Sequence, residues 1–139
     1  MYQKDFILRI IEDFFRFLSV ILKLRKEQRY DEALMECNET SLSLLRININ
    51  TIENLQPEEF IKHVEGLSLL PQQSEILAGL MYERSEIYYA SGDLLQARTA
   101  VEKALMLYRL NSGSTKTFSM DADAKIKRLL QLNDELKNN

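Results

Sequence analysis

One cysteine, one histidine, two prolines, four glycines and no tryptophan are all that this chain of 139 residues holds of the types that most often carry metals, redox chemistry or sharp turns. A lone Cys37 has no intrachain disulfide partner, and with His63 the only imidazole no Cys/His zinc set can be assembled. So few Gly and Pro leave few places to turn, which favours long helices over many short strands. No window approaches the roughly 20 consecutive apolar residues of a membrane span. The apolar stretch at 14–22 is broken by Arg16 and preceded by Asp5, Glu12 and Asp13, so it lacks the basic start and clean run of a signal peptide. With a formal charge of −3 there is no general attraction to nucleic acid or anionic lipid. A soluble, unexported, cytoplasmic protein is the expectation, with neither nucleic acid nor membrane as partner.

What is present is apolar content at helical spacing. Hydrophobic residues make up 45% and charged residues 28% of the chain, enough for one folded domain with its own core. Phe6, Ile7, Ile10, Ile11, Phe14, Phe15, Leu18, Ile21 and Leu22 recur in steps of three and four, one broad face of a helix over about 4–27. Lys23, Arg25 and Lys26 stand at its end, where cations complement the helix dipole. A second helix follows over about 31–46 and is broken by Asn48 and Asn50, so Ile47–Ile52 is expected as a short extended turn. Pro57 opens a short helix with Gly66 as its left-handed cap, Pro71 opens one reaching Ala90, and Asp93 caps another over about 94–111. Asn111–Thr117 reads as a loop, and Asp121 opens a last helix striped by Ile126, Leu129, Leu130 and Leu136. The expected fold is all-α: about six helices, with a first hairpin at 4–46, a connector at 47–70, a second hairpin at 71–111 and a closing helix at 121–137.

The stretch from Tyr88 to Leu105 carries the most specific pattern. Ser85, Tyr88, Gly92, Ala97, Ala104 and Leu105 place an aromatic late in one helix, a glycine at the turn and small residues where the next helix comes close. This arrangement resembles the tetratricopeptide repeat, a helical hairpin of about 34 residues. Ser85 stands where that family usually has Gly, Met81 replaces its Trp and Arg109 its closing Pro. A fainter copy aligns Ala33 with Ala97, 64 residues apart, with Leu24, Gln28, Tyr30 and Thr40 at matching positions. The opening segment 1–12 and the helix start Arg29-Tyr30-Asp31-Glu32-Ala33-Leu34 also resemble a family of small uncharacterised bacterial proteins with tetratricopeptide-like folds.

That resemblance implies a non-catalytic module that binds a protein or peptide along the groove lined by the first helix of each hairpin. Tyr82 and Glu86 then face the groove and Tyr89 flanks it, with Arg25 and Lys26 at the edge beside Leu18 and Leu22. These five (Tyr82, Glu86, Tyr89, Arg25, Lys26) are the candidate partner-binding residues. They depart from the Lys/Asn set that clamps a peptide carboxylate, and Leu18 and Leu22 are candidates for burial under the closing helix. The alternative is a self-associating structural protein, with Ile126, Leu129, Leu130 and Leu136 as a symmetric interface; a small-ligand regulator ranks lower.

No catalytic set is visible and no cofactor is expected. Cys37 falls at a packing position after Ala33, with no base at a readable spacing. Asp121 and Asp123 stand where a helix start favours anions. Ser112–Thr117 lacks both the Gly-Lys-Ser/Thr ending and the preceding strand of a phosphate-binding loop. Lys23, Arg25, Lys26 and Arg29 form a basic cluster, diluted by Glu27, Asp31 and Glu32, that reads as a helix end.

Overall fold

The computed structural model describes residues 2–112 and 121–138, and these form seven helices with no strand among the described residues. They are α1 (Tyr2–Lys26), α2 (Tyr30–Leu45), α3 (Ile49–Glu53), α4 (Pro57–Gly66), α5 (Pro71–Ser91), α6 (Leu94–Asn111) and α7 (Ala122–Lys137). The all-α expectation holds. Helices α1 and α2 pack as one hairpin and α5 and α6 as a second; α2 and α1 both lie against α5, while α7 stacks on α6. The short α3 and α4 run across the far side, touching α2 and α6.

Helix α5 is the centre of this array, because it is enclosed by neighbours on most sides. Twelve of its residues are buried, from Gln72 to Tyr88. Its contact with α6 is close because Ala78, Ser85, Ala97, Ala100 and Ala104 are all small and fully buried. Ser85 satisfies its hydroxyl within the helix, donating to the Met81 carbonyl at 3.0 Å. Gly92 joins the two helices at φ 86, a left-handed conformation that a Cβ disfavours, and its amide donates back to Tyr89 O at 3.2 Å. Asp93 then caps α6 by accepting from the Gln96 amide, as its sequence position suggests.

Three local expectations are corrected, and a fourth falls largely outside the described residues. Ile47–Ile52 is no extended turn: Asn48 accepts from the Thr51 amide and starts the five-residue α3, while the Asn38 carboxamide oxygen accepts from the Ile49 amide at 2.8 Å. Helix α2 ends before the asparagines, at Leu45 with Arg46 left-handed at φ 60, and Asn48 and Asn38 then serve as side-chain acceptors at the start of the next helix. Gly66 is helical rather than left-handed, and Ser68 takes the positive φ of 51 two residues later. Asp121 stands at the start of α7 at φ 55 without capping it through its side chain. The segment expected as a loop lies, from Gly113 on, outside the described residues.

The broad apolar face expected on α1 splits in two. Ile10, Phe14 and Ile21 are buried, whereas Phe6, Phe15 and Leu22 are 38–48% exposed, as are Leu8 and Val20, which lie outside the expected face. Leu22 is therefore not covered by the closing helix, and Leu18 is only partly buried. On α7 the reverse holds. Leu129, Leu132 and Leu136 are fully buried in the fold and only Leu130 of the expected interface stripe stays exposed, so that stripe is mostly consumed by intrachain packing.

Candidate functional site

Three of the five candidate residues meet on the face of α5 where α7 sits. Tyr82, Glu86 and Tyr89 lie three and four apart, which puts them on one side of the helix. The Tyr82 hydroxyl donates to Glu86 Oε2 at 2.7 Å, and Arg128 of α7 grips the same carboxylate with Nε at 3.1 Å and Nη2 at 3.2 Å. The Tyr89 hydroxyl donates to Glu135 Oε2 at 2.6 Å, and the Arg128 guanidinium lies over the Tyr89 ring. Lys125 stands over the Tyr82 ring, 5.7 Å from its centre. These side chains form the seat of α7 and are half-buried under it.

The electrostatics follow from that packing. Partial burial pushes the Glu86 carboxyl up, but hydrogen bonds from Arg128 and Tyr82 outweigh it and hold the group below its usual range. Burial raises the Tyr82 phenol, and the bond to Glu86 raises it further. Burial lowers the Lys125 ammonium against the pull of Glu83 and other carboxylates.

Arg25 and Lys26 do not join this cluster. Lys26 is exposed at the end of α1. Arg25 reaches Glu83 of α5, with Nη1 3.3 Å from Oε1, close enough for an ion pair but misaligned for a hydrogen bond to that oxygen. Burial raises the Glu83 carboxyl despite this cation. The remaining basic cluster is partly neutralised, since Arg29 bonds Glu32 at 2.6 Å and Glu27 at 3.2 Å. His63 is exposed on α4.

A second polar network escaped the sequence reading. Glu53, at the end of α3, and Arg84, in the middle of α5, are 1% and 2% exposed. Arg84 Nε donates to Glu53 Oε1 at 2.6 Å, and its Nη2 donates to Asn50 Oδ1 at 2.8 Å and to the Tyr88 hydroxyl at 2.9 Å. Tyr88 donates in turn to Glu53 Oε2 at 2.8 Å, and Gln96 of α6 adds a bond to the same oxygen at 3.1 Å. Arg84 also reaches the Leu34 carbonyl of α2 at 3.3 Å. Four helices are tied together in this way, and α3, too short to persist alone, is fixed to the rest. Its signal in the sequence was Arg84 itself, a charge seven residues after Leu77 and four before Tyr88 on an otherwise apolar stripe. Its partner 31 residues upstream had no local mark.

The other candidate chemistries find structural accounts. Cys37 is fully buried, and burial pushes its thiol up to about 12, so neither a thiolate nor access to it is provided. No group of three or more potential metal ligands occurs among the described residues. A cleft of about 440 Å³ between α6 and α7 is lined by Arg98, Glu102, Met106, Arg109, Asn133 and Lys137. Arg98 is already used there, donating to the Leu136 carbonyl at 2.6 Å near the end of α7. Among the described residues no helix is long and apolar enough to cross a membrane.

Comparison with protein-family models, with curated proteins and with solved structures finds no match to this chain.

Proposed function

We propose that this chain is a non-catalytic protein–protein interaction module of the tetratricopeptide-like type, which accepts a helix along α1. The supporting observation is the exposed row Leu8, Phe15 and Leu22, with Ile11 and Leu18 between them, along one face of a 25-residue helix. Apolar side chains at steps of three and four on a solvent-facing helix suit a helix from a partner, which would insert its own apolar stripe. Arg25 and Lys26 lie at the end of this row and belong to its edge. Tyr82, Glu86 and Tyr89 serve the module as the seat of α7, and a partner using them has to displace that helix. The buried, high-pKa Cys37 supports the non-catalytic part of the reading. The cellular setting we propose is the cytoplasm, in keeping with the unpaired cysteine.

The test is cross-linking in cells, comparing the chain with a Leu8→Glu plus Leu22→Glu variant. The reading expects a cross-linked protein species that the double variant loses and that Leu130→Glu, on the outer face of α7, keeps. Cross-linked species identical in all three, or none, would refute it.

A further inference from the structure

The cleft between α6 and α7 gathers charge of one sign in a chain whose net charge is −3. Arg98, Arg109 and Lys137 line it together with a single carboxylate, Glu102. That carboxylate is already committed, because its Oε1 accepts from the Lys103 ammonium at 3.2 Å and Lys103 is only 2% exposed. Neither Arg109 nor Lys137 has an ion-pair partner among the described residues. Arg98 gives one N–H to the Leu136 carbonyl, at 2.6 Å, and a guanidinium carries five. The cleft therefore keeps a positive lining that no carboxylate of the fold compensates.

Helix ends account for part of this. Arg109 and Lys137 stand in the last turns of α6 and α7, where cations complement the dipole. Complementing two dipoles does not require both cations to border one cleft. On α6, residues 98, 102, 105 and 109 fall on one face, and the bond from Arg98 to Leu136 brings the last turn of α7 to the end of that face remote from Arg109. Arg98 and Lys137 thus stand at one end and Arg109 at the other, about 16 Å along the helix axis. Between them lie the buried Leu105 and the half-buried Met106, with Asn133 as the polar group on the α7 side.

A cleft that is positive at both ends and apolar between them selects a ligand of the inverse pattern. Its volume of about 440 Å³ lies in the range of small-molecule sites. An extended peptide fits less well, since its backbone N–H and C=O groups would need several partners and Asn133 is the one neutral polar side chain lining the cleft. We propose that the α6–α7 cleft binds a small elongated organic dianion of the α,ω-dicarboxylate class. One anionic end sits between Arg98 and Lys137, the other meets Arg109, and the apolar middle lies on Leu105 and Met106. The Arg109 guanidinium offers a carboxylate two parallel N–H groups, and Arg98 has donors left beside the Lys137 ammonium. The site shares no residue with the exposed row on α1 and does not depend on it.

Azelate, a dicarboxylate with an apolar chain, is the probe, titrated into the isotope-labelled full chain at constant ionic strength and followed by NMR. It should shift the Asn133 side-chain amide and the Met106 and Arg109 signals to saturation, with the millimolar dissociation constant expected of so small a ligand in an open cleft. Nonanoate, which has the same chain but one carboxylate, and succinate, which is too short to reach both ends, should each bind at least about 5-fold more weakly. Arg109→Gln should bring azelate down to the affinity of nonanoate, and Lys137→Gln should weaken azelate by a similar factor. Both side chains are exposed and have no bonding partner among the described residues, so circular dichroism should show an unchanged helix content in either variant. Leu22→Glu on α1 should leave azelate binding as it is. Shifts that never saturate, equal binding of azelate and nonanoate, binding indifferent to Arg109→Gln, or shifts confined to α1 overturn the proposal. Tighter binding of a peptide with a glutamate at each end would overturn the small-ligand assignment in favour of an acidic partner segment.

Discussion

Two polar networks cross α5 on different sides, and they differ in how much water they have given up. Around Glu53 and Arg84 both charges are almost fully buried, and each carboxylate oxygen and most guanidinium donors have protein partners. Around Glu86 and Arg128 the side chains keep 15% and 31% of their surface in solvent. The first network is a lock: removing one member leaves the other as an unpaired charge without water. The second is a seat, in which water replaces whatever is taken away. The seat was marked in the sequence by its groove-side tyrosines, whereas the lock showed only the lone charge of Arg84, its partner Glu53 having no local mark. Legibility and energetic weight thus run in opposite directions here.

Substitutions separate the two. Glu53→Ala should destabilise the fold by about 3–5 kcal/mol, because Arg84 would remain buried without its counter-ion. A fall of the urea midpoint with little change in slope would show it, and a loss near 1 kcal/mol would mean that water enters to replace the carboxylate. The same variant should speed labelling of the buried Cys37 thiol, which is close enough to feel the Arg84 charge.

Next in size is Arg128→Ala, expected to cost about 1 kcal/mol or less, as befits a partly exposed pair, and to leave Cys37 labelling unchanged. The Glu86 carboxyl supplies a pH arm to this prediction. Because its folded pKa is lowered, its contribution is complete above the ordinary carboxylate range and is lost as pH falls through the depressed value. Arg128→Ala should therefore flatten the acid limb of stability against pH; an acid limb identical to the parent would separate Glu86 from this pairing.

The smallest effect belongs to Glu83, a buried carboxylate with the misaligned Arg25 cation beside it and the Lys125 ammonium also near enough to act on it. Its pKa is raised by burial, so its share of stability is greatest when it is protonated and declines as pH rises from the ordinary carboxylate range through the raised value. Glu83→Gln should remove that decline and leave the protein as stable as the parent, or slightly more so, at neutral pH. Thermal melts at pH 4 and pH 7 would check it, and a marked loss at pH 7 would show that the Arg25 pair is net favourable.

The helices were legible because their causes are local. Pro57 and Pro71 at first turns, Asp93 as a cap, Gly92 at φ 86 and the steps of three and four on α1, α6 and α7 all act over a few residues. Helix α3 was hidden because its stability comes from elsewhere, namely Asn38 on α2 and the Arg84 lock on α5. The candidate residues Tyr82, Glu86 and Tyr89 were rightly placed on one face, but nothing local says that α7 stands over them. The apolar residues of α1 likewise read as one broad stripe, and only packing against α2 and α5 divided them into a buried row and an exposed one.

By itself, then, the sequence determined an all-α chain of helical hairpins, with the α5–α6 turn at Gly92 and small residues at the close approach, because propensity, capping and periodicity are properties of neighbouring residues. Tertiary structure alone decided which apolar faces are used up. Leu129, Leu132 and Leu136 vanish into the array while Leu8 and Leu22 stay in water, since burial depends on what other helices bring across space and a helix of one periodicity can face either way.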